Sequence, residues 1–130
     1  MDGGGLATIP LFAGMTEEER NRIAEVCSDL EVEAGETLVT EGDFGYAMFA
    51  IAHGTAGVLK DDTVLRTLGP GDVFGEIAVL SGGRRTATVV ASSPMRLITV
   101  MNREVWRLER EVPDVGAALR TTIARCLEPR

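Results

Sequence analysis

Residues 71–91, GDVFGEIAVLSGGRRTATVVA, decide how the rest of the chain is read. Gly69-Pro70-Gly71-Asp72 leads in as a turn, Val73-Phe74 is a short apolar step, and Gly75 to Leu80 can start a short helix that Ser81-Gly82-Gly83 ends. A glycine at a helix start exposes backbone N–H groups, and the helix dipole adds to them, so the turn is suited to an anion. Arg85, ten residues on, can close such a site with a bidentate guanidinium. Each charge-assisted hydrogen bond contributes roughly 1.5–3 kcal/mol, enough for one arginine and a few N–H groups to hold a phosphate. Glu76 beside an anion then needs a partner of its own, and a sugar hydroxyl would serve. The same residues have plainer readings. Glu76 suits a helix N-terminus as a solvated carboxylate, and Arg85 could pair with a surface acid. Arg84, adjacent in a strand, points to the opposite face and reads as a solvent or structural residue.

Working outward, glycine density marks a change of texture: ten of the fifteen glycines fall between Gly35 and Gly83, separating short segments rich in Val, Leu, Thr and Phe. Strands are predicted at Glu36–Thr40, Ala47–Ala52, Thr55–Lys60, Thr63–Leu68, Thr86–Ala91 and Met95–Val100. Turns fall at Glu41-Gly42-Asp43, His53-Gly54, Asp61-Asp62 and Gly69-Pro70-Gly71. Short, closely spaced strands predict a sandwich or barrel. Upstream, Thr16-Glu17-Glu18-Glu19 is a capping-box pattern, and Ile23, Val26, Cys27 and Leu30 follow at helical spacing. Downstream, Asn102 is placed to cap a helix carrying Val105, Leu108 and Val112. Pro113 interrupts it, and Val115, Ala118, Leu119, Thr122, Ile123 and Cys126 continue at helical spacing. The C-terminus is two helices or one broken helix. Trp106 reads as helix packing and His53 as a surface turn residue.

Composition narrows the chemistry. The chain has 130 residues and 45% hydrophobic content, enough for one domain and too few for two of ordinary size. Thirteen Lys and Arg against twenty Asp and Glu leave a net charge of −7, the wrong sign for attraction to a nucleic-acid backbone. Lys60 is the sole lysine and Asp61 follows it, which rules out a Gly-Lys-Ser/Thr phosphate loop. The acidic, glycine-rich start Met1-Asp2-Gly3-Gly4-Gly5 lacks the features of a secretion signal, and no apolar run approaches the ~20 residues that cross a bilayer. A cytoplasmic protein without membrane contact is expected. One histidine and two cysteines outside any CxxC pair make a metal centre improbable, a cupin-like metalloenzyme included. A disulfide between Cys27 and Cys126 is not favoured.

The stretch resembles the phosphate-binding cassette of cyclic nucleotide-binding domains, in which Phe-Gly-Glu-apolar-Ala-x-Leu is followed by a short loop and Arg-(small or Thr)-Ala. Phe74 to Leu80 and Arg85-Thr86-Ala87-Thr88-Val89 fill that pattern in order. Ile9-Pro10-Leu11-Phe12, Gly35-Glu36-Thr37-Leu38, Glu41-Gly42-Asp43, Met48-Phe49-Ala50-Ile51 with Gly54, and Leu68 to Asp72 look like further landmarks of the family. The resemblance implies an eight-stranded jelly-roll β-barrel with a short N-terminal helix, a cassette helix and C-terminal helices. It implies a single domain over 1–130, with 1–8 flexible, 9–30 helical, 31–101 the β-roll with its cassette at 74–87, and 102–130 helical.

The implied function is non-enzymatic: cAMP or cGMP binds, no other cofactor is needed, and the C-terminal helices pass the event to an effector domain or protein partner. Carried over, Gly75, Ile77 and Ala78 offer N–H groups to the cyclic phosphate, Glu76 accepts from the ribose 2′-hydroxyl, and Arg85 binds the phosphate. Thr86 stands where Thr is often associated with tolerance of guanine in the family, which leaves cAMP against cGMP open. Val58, Leu68 and Val73 are candidates for the base wall, and Leu119, Arg120 or Ile123 for a lid. The alternative is a structural or interaction module with the same fold and no nucleotide. The terminal helices have two candidate counterparts, their own barrel or a second copy in a homodimer.

Overall fold

The computed structural model describes residues 10–75 and 84–125. Helix α1 (Pro10–Ala13) leads into α2 (Glu17–Ala24), whose start is fixed by the expected capping box. Thr16 Oγ1 accepts from the Glu19 N–H at 3.1 Å, and Glu19 Oε1 accepts from the Thr16 N–H at 2.8 Å. Arg20 joins the two helices by donating from Nη1 to the carbonyls of Phe12 and Met15.

The helix does not continue through Cys27 and Leu30 as their spacing predicts. Strand β1 (Cys27–Val32) takes over and pairs antiparallel with β8 (Met95–Met101), from Cys27 opposite Val100 to Val32 opposite Met95. Cys27 is buried in either reading, so its position on an apolar stripe does not discriminate between them. The β8 ladder is a long-range partner that sequence periodicity cannot register. The N-terminal helical segment therefore ends short of residue 30, and the β-roll opens at Cys27.

Between these strands lie β2 (Thr37–Val39), β3 (Ala47–His53), β4 (Ala56–Lys60), β5 (Thr63–Leu68), β6 (Val73–Phe74) and β7 (Thr88–Ala91). Among the described residues the eight strands form two antiparallel sheets, ordered β1-β8-β3-β6 and β2-β7-β4-β5. This is the jelly-roll arrangement. The β4–β5 hairpin turns through Asp61 and Asp62, both left-handed (φ 51° and 65°), a backbone that Asp tolerates and that matches strand twist.

Alternation along β3 and β8 explains how the layers stack. Ala47, Phe49 and Ile51 of β3 and Met95 and Leu97 of β8 face the second sheet. Met48, Ala50, Ile98 and Val100 face the helices, where Phe12, Ile23, Val105, Leu108, Val115 and Leu119 pack on them. Strands β3 and β8 of the first sheet are thus buried on both sides, while its edge strand β1 is exposed from Ser28 to Glu31, and the second sheet is buried on its inner face only. Helices α3 (Asn102–Glu111) and α4 (Pro113–Arg125) close the helical layer, with Pro113 as the first residue of α4. Gly116 sits so close to α3 that a Cβ there would lie 2.5 Å from Glu109 Cα.

Asn102 does not cap α3 with its side chain. It is the helix's first residue, it is buried, and its N–H donates to the Tyr46 carbonyl at 2.8 Å. Trp106, expected in the packing, lies outward and is 43% exposed, since Val105 and Leu108 already fill the inward stripe. Burial pushes the Cys27 thiol up to about 12, so it stays protonated and acts as a small hydrophobe. Cys126 lies outside the described residues.

Candidate functional site

Arg85 is held from both ends, its backbone by one turn and its guanidinium by two carbonyls. The Glu41-Gly42-Asp43 turn, with Gly42 at φ 90°, brackets its backbone: the Arg85 N–H donates to the Asp43 carbonyl at 2.6 Å, and the Gly42 N–H donates to the Arg85 carbonyl at 2.9 Å. Its guanidinium then reaches the end of β6, where Nη2 donates to the Ala47 carbonyl at 2.7 Å and Nη1 to the Gly75 carbonyl at 3.3 Å. These contacts fix the plane and position of the charge before any ligand arrives.

Gly75 makes that approach feasible. Its φ is 79°, and a Cβ there would lie 2.6 Å from Arg85 Nη1 and 2.8 Å from the Ala47 carbonyl oxygen. No other residue type meets both the left-handed backbone and the close guanidinium at low cost. The turn ahead of it is equally determined. Gly71 has φ 91°, the Asp72 N–H donates to the Gly69 carbonyl, and Asp72 Oδ2 accepts from the Gly69 N–H at 2.8 Å. The Gly71 N–H donates to the Ile51 carbonyl, and the Ile51 N–H to the Asp72 carbonyl, both at 2.9 Å, so the turn is docked on β3. From there β6 pairs with β3, and Phe74 stacks on Phe49 with centroids 4.9 Å apart.

Arg84 differs from its neighbour. It is exposed, its Nη1 donates to the Gly42 carbonyl at 2.7 Å, and its guanidinium lies 4.4 Å above the Phe44 ring. The two adjacent arginines are therefore committed to different contacts.

A cavity of about 160 Å3 opens beside Arg85, between the end of β6 and the inner face of the second sheet. Its sheet wall is one transverse row. Val39 of β2 stands opposite Val89 of β7, Val89 opposite Val58 of β4, and Val58 opposite Arg66 of β5. The other side is Phe74 and Gly75 with Arg84, Arg85, Thr86 and Ala87. The cavity thus pairs an apolar floor with guanidinium groups and carries no carboxylate among the described residues that line it. Such a site suits an anion attached to a flat, partly apolar body.

Of the residues singled out from the sequence, Gly75, Arg85, Thr86 and Val58 come together on this cavity. Glu76, Ile77 and Ala78 lie outside the described residues. Leu68 is buried in the core between the sheets and does not line the cavity. Val73 is corrected as a wall residue: strand alternation sends it toward the helical core and gives its place to Phe74. As for a lid, Leu119 is fully buried in the helical core and Arg120 is bound to Glu109, with Nε to Oε2 at 2.8 Å and Nη2 to Oε1 at 2.9 Å. That hydrogen bond lowers the Glu109 carboxyl below its ordinary range and raises the Arg120 guanidinium. The cavity residues that sequence reasoning did not place there are Val39, Val89, Arg66, Phe74, Ala87 and Arg84, the last expected on the face opposite Arg85. Arg66 was within reach, since it alternates with Leu68 on β5 and shares its face.

Comparison with known proteins gives consistent results. The profile of the cyclic nucleotide-binding domain matches residues 29–111. The chain is 35% identical over 116 residues to a cAMP-dependent protein kinase regulatory subunit from Yarrowia lipolytica, covering 88% of this chain and 31% of that one. It is 29% identical over 123 residues to a cyclic AMP receptor protein from Thermus thermophilus, covering 91% and 57%. The chain thus spans from about a third to just over half of these relatives. A crystal structure of a cyclic nucleotide-binding domain from Methylobacillus flagellatus shares the fold, with a TM-score of 0.85 at 24% identity over 95% of this chain and 72% of that one.

Proposed function

From the premise that this chain belongs to the cyclic nucleotide-binding domain family, we propose that it is a non-catalytic sensor whose cassette, residues 74–87, takes cAMP or cGMP. The observation that carries the reading is the preset Arg85 guanidinium, held by the Ala47 and Gly75 carbonyls at the mouth of an apolar cavity. In this reading Arg85 binds the cyclic phosphate together with the N–H groups of Gly75, Ile77 and Ala78. Glu76 accepts from the ribose 2′-hydroxyl, Thr86 lies beside the phosphate, and Val58 with its neighbours in the valine row supports the base. A cyclic phosphate joined to a ribose and a flat base has the anion, hydroxyl and planar surface that this set of residues would recognise.

Binding becomes a signal only if the ligand prefers one arrangement of the protein over another. Helices α3 and α4 are the proposed transmitters, because they pack on the far side of the sheet that carries β6. An effector domain or protein partner would receive the change.

Calorimetric titration of the whole chain with cAMP and with cGMP tests the proposal. Saturable binding of at least one nucleotide is expected, with a loss of roughly 10- to 100-fold in Arg85→Ala and about tenfold in Glu76→Ala. Absence of binding to both nucleotides, or unchanged affinity in Arg85→Ala, would leave the fold as a structural or interaction module.

A further inference from the structure

Helix α3 buries one face and shows the other. Val105 and Leu108 pack into the helical core, while Arg103, Trp106, Arg107 and Arg110 recur at i, i+3, i+4 and i+7 on the outer side, where all four are exposed. Trp106 is the chain's sole tryptophan, and at 43% exposure its ring forms part of the surface. The acids of the helix are matched by neighbouring arginines: Glu104 and Glu111 flank Arg107 at 2.7 and 3.9 Å, and Glu109 takes Arg120. Arg103 and Arg110 make no ion pair among the described residues, and they stand on either side of Trp106, about 10 Å apart along the helix axis.

Tryptophan and arginine carry much of the energy at protein interfaces, typically as a central aromatic ring with charged groups at its edge. Charge decides which partner fits. The chain as a whole carries −7, so the rest of its surface repels an extended polyanion, be it a nucleic acid or an anionic bilayer. Two cations that bracket a ring suit instead a partner whose negative charge is confined to a few carboxylates, because that attraction acts only within about 8 Å at physiological salt. The same face on a second copy is a poor match, since a two-fold axis would set arginine against arginine.

We propose that the outer face of α3 docks an acidic amphipathic helix of a protein partner, with an apolar side chain seated on Trp106 and a carboxylate on each of Arg103 and Arg110. A spacing of about 10 Å is two helical turns. The partner helix therefore carries Glu or Asp at i and i+7, with Leu or Met at i+3 and i+4 between them. A contact made by one helix face lies at the small end of protein interfaces, so an affinity in the micromolar range is expected. Because α3 is one of the proposed transmitters, such a partner would be placed to receive the change, but docking itself requires no nucleotide.

Trp106, as the sole tryptophan, reports on its own face by fluorescence. The intact chain, without nucleotide, is titrated with a helical peptide that carries Glu at i and i+7 around two leucines, and with the same peptide bearing Lys in place of both Glu. Parallel titrations use vesicles of phosphatidylserine and phosphatidylcholine in equal parts, and duplex DNA. Saturable binding of the acidic peptide is expected, with a blue shift of the emission as the ring leaves water and a loss of affinity with added salt. The double variant Arg103→Glu, Arg110→Glu should lose at least about tenfold for the acidic peptide and gain affinity for the Lys peptide, a charge exchange that a merely structural role would not produce. Trp106→Ala, followed by calorimetry, should lose about tenfold or more. No saturable binding of the acidic peptide, equal binding of the two peptides, or undiminished binding of the acidic one by the double variant would each overturn the proposal. A blue shift with vesicles or DNA and not with the peptide would overturn it in favour of a polyanion surface. A dimer in sedimentation that Trp106→Ala abolishes would overturn it in favour of a second copy. Thermal unfolding of each variant separates a loss of contact from a loss of fold, and the exposed positions of Arg103 and Arg110 predict little change. Failure of docking would leave the nucleotide site in place, and failure of nucleotide binding would leave docking in place.

Discussion

The two sheets share strand count and pairing pattern but live in different surroundings. The sheet β1-β8-β3-β6 is packed between the helices and its partner sheet, so that β3 buries five consecutive residues, Ala47 to Ile51, with both faces apolar. The sheet β2-β7-β4-β5 has one covered face, and on its edge strand β5 only Leu68 is buried, while Val64 and Leu65 are 61% and 58% exposed. The edge strands β1 and β5 are alike in exposure, so the contrast lies inside: the first sheet is filled on both sides at β3 and β8, and the second is left partly open on its inner face, where the cavity lies. The difference amounts to a division of labour: the core strands of the first sheet fix the fold, and the second gives up buried area to the cavity in which the nucleotide is proposed to bind.

A matched pair of truncations tests that division and carries the largest expected effect. Leu97 on β8 is fully buried between the sheets, so Leu97→Ala should lower unfolding free energy by about 3 kcal/mol in urea denaturation. Leu65→Ala on β5 removes the same atoms from an exposed site and should change it by less than about 0.5 kcal/mol. Comparable losses at both positions would mean that the second sheet bears stability as the first does, and the contrast would fail.

Gly75 lies where the sealed sheet meets the open one, and its substitution should separate binding from stability. Gly75→Ala puts a Cβ against Arg85 Nη1 and the Ala47 carbonyl and forces a non-glycine residue to φ 79°. A cost of about 1–2 kcal/mol in stability is expected, smaller than that of Leu97→Ala. Nucleotide affinity should fall at least about tenfold, because the guanidinium must leave its seat. An unchanged affinity would show that the seat of Arg85 does not matter to the ligand.

The contrast between the sheets also explains what is legible in the sequence. Strands β3, β4, β5, β7 and β8 can be read close to their bounds, because turns at Gly54, Asp61-Asp62 and Gly71 punctuate them and local chemistry fixes those turns. Strand β1 is hidden, because Cys27 and Leu30 fall on a helical stripe and the pairing with β8 is remote in sequence. Strand β6 shows only as an apolar step, since two residues are too few to display alternation. Within the site, Arg85 and Gly75 are legible from spacing. The bracket that Gly42 and Asp43 place around Arg85 is not, because it joins segments more than forty residues apart. Val73 and Phe74 exchange roles for a simple reason: which of two neighbours faces inward depends on strand register, and register is set by β3.

The smallest effect concerns the helical layer that seals the first sheet. If apolar packing holds α3 and α4 in place, then the Glu109–Arg120 pair, about a third exposed on both sides, should add little. Glu109→Gln keeps the shape and removes the charge, so at neutral pH the loss should stay under about 1 kcal/mol and shrink further with added salt. The sign with pH follows from the direction of the shift. The Arg120 hydrogen bond lowers the folded-state pKa of Glu109, so the pair stabilises the fold above the ordinary carboxylate range and ceases to do so as pH falls through the lowered value. Thermal melts of wild type and Glu109→Gln should therefore differ slightly at pH 7 and converge in acid. A loss as large as that of Leu97→Ala would mean that charge, and not the apolar stripe of Val105, Leu108, Val115 and Leu119, holds the helices over the sheet. A difference that persisted unchanged in acid would trace the effect to how the substituted side chain packs against Gly116 and not to the ion pair.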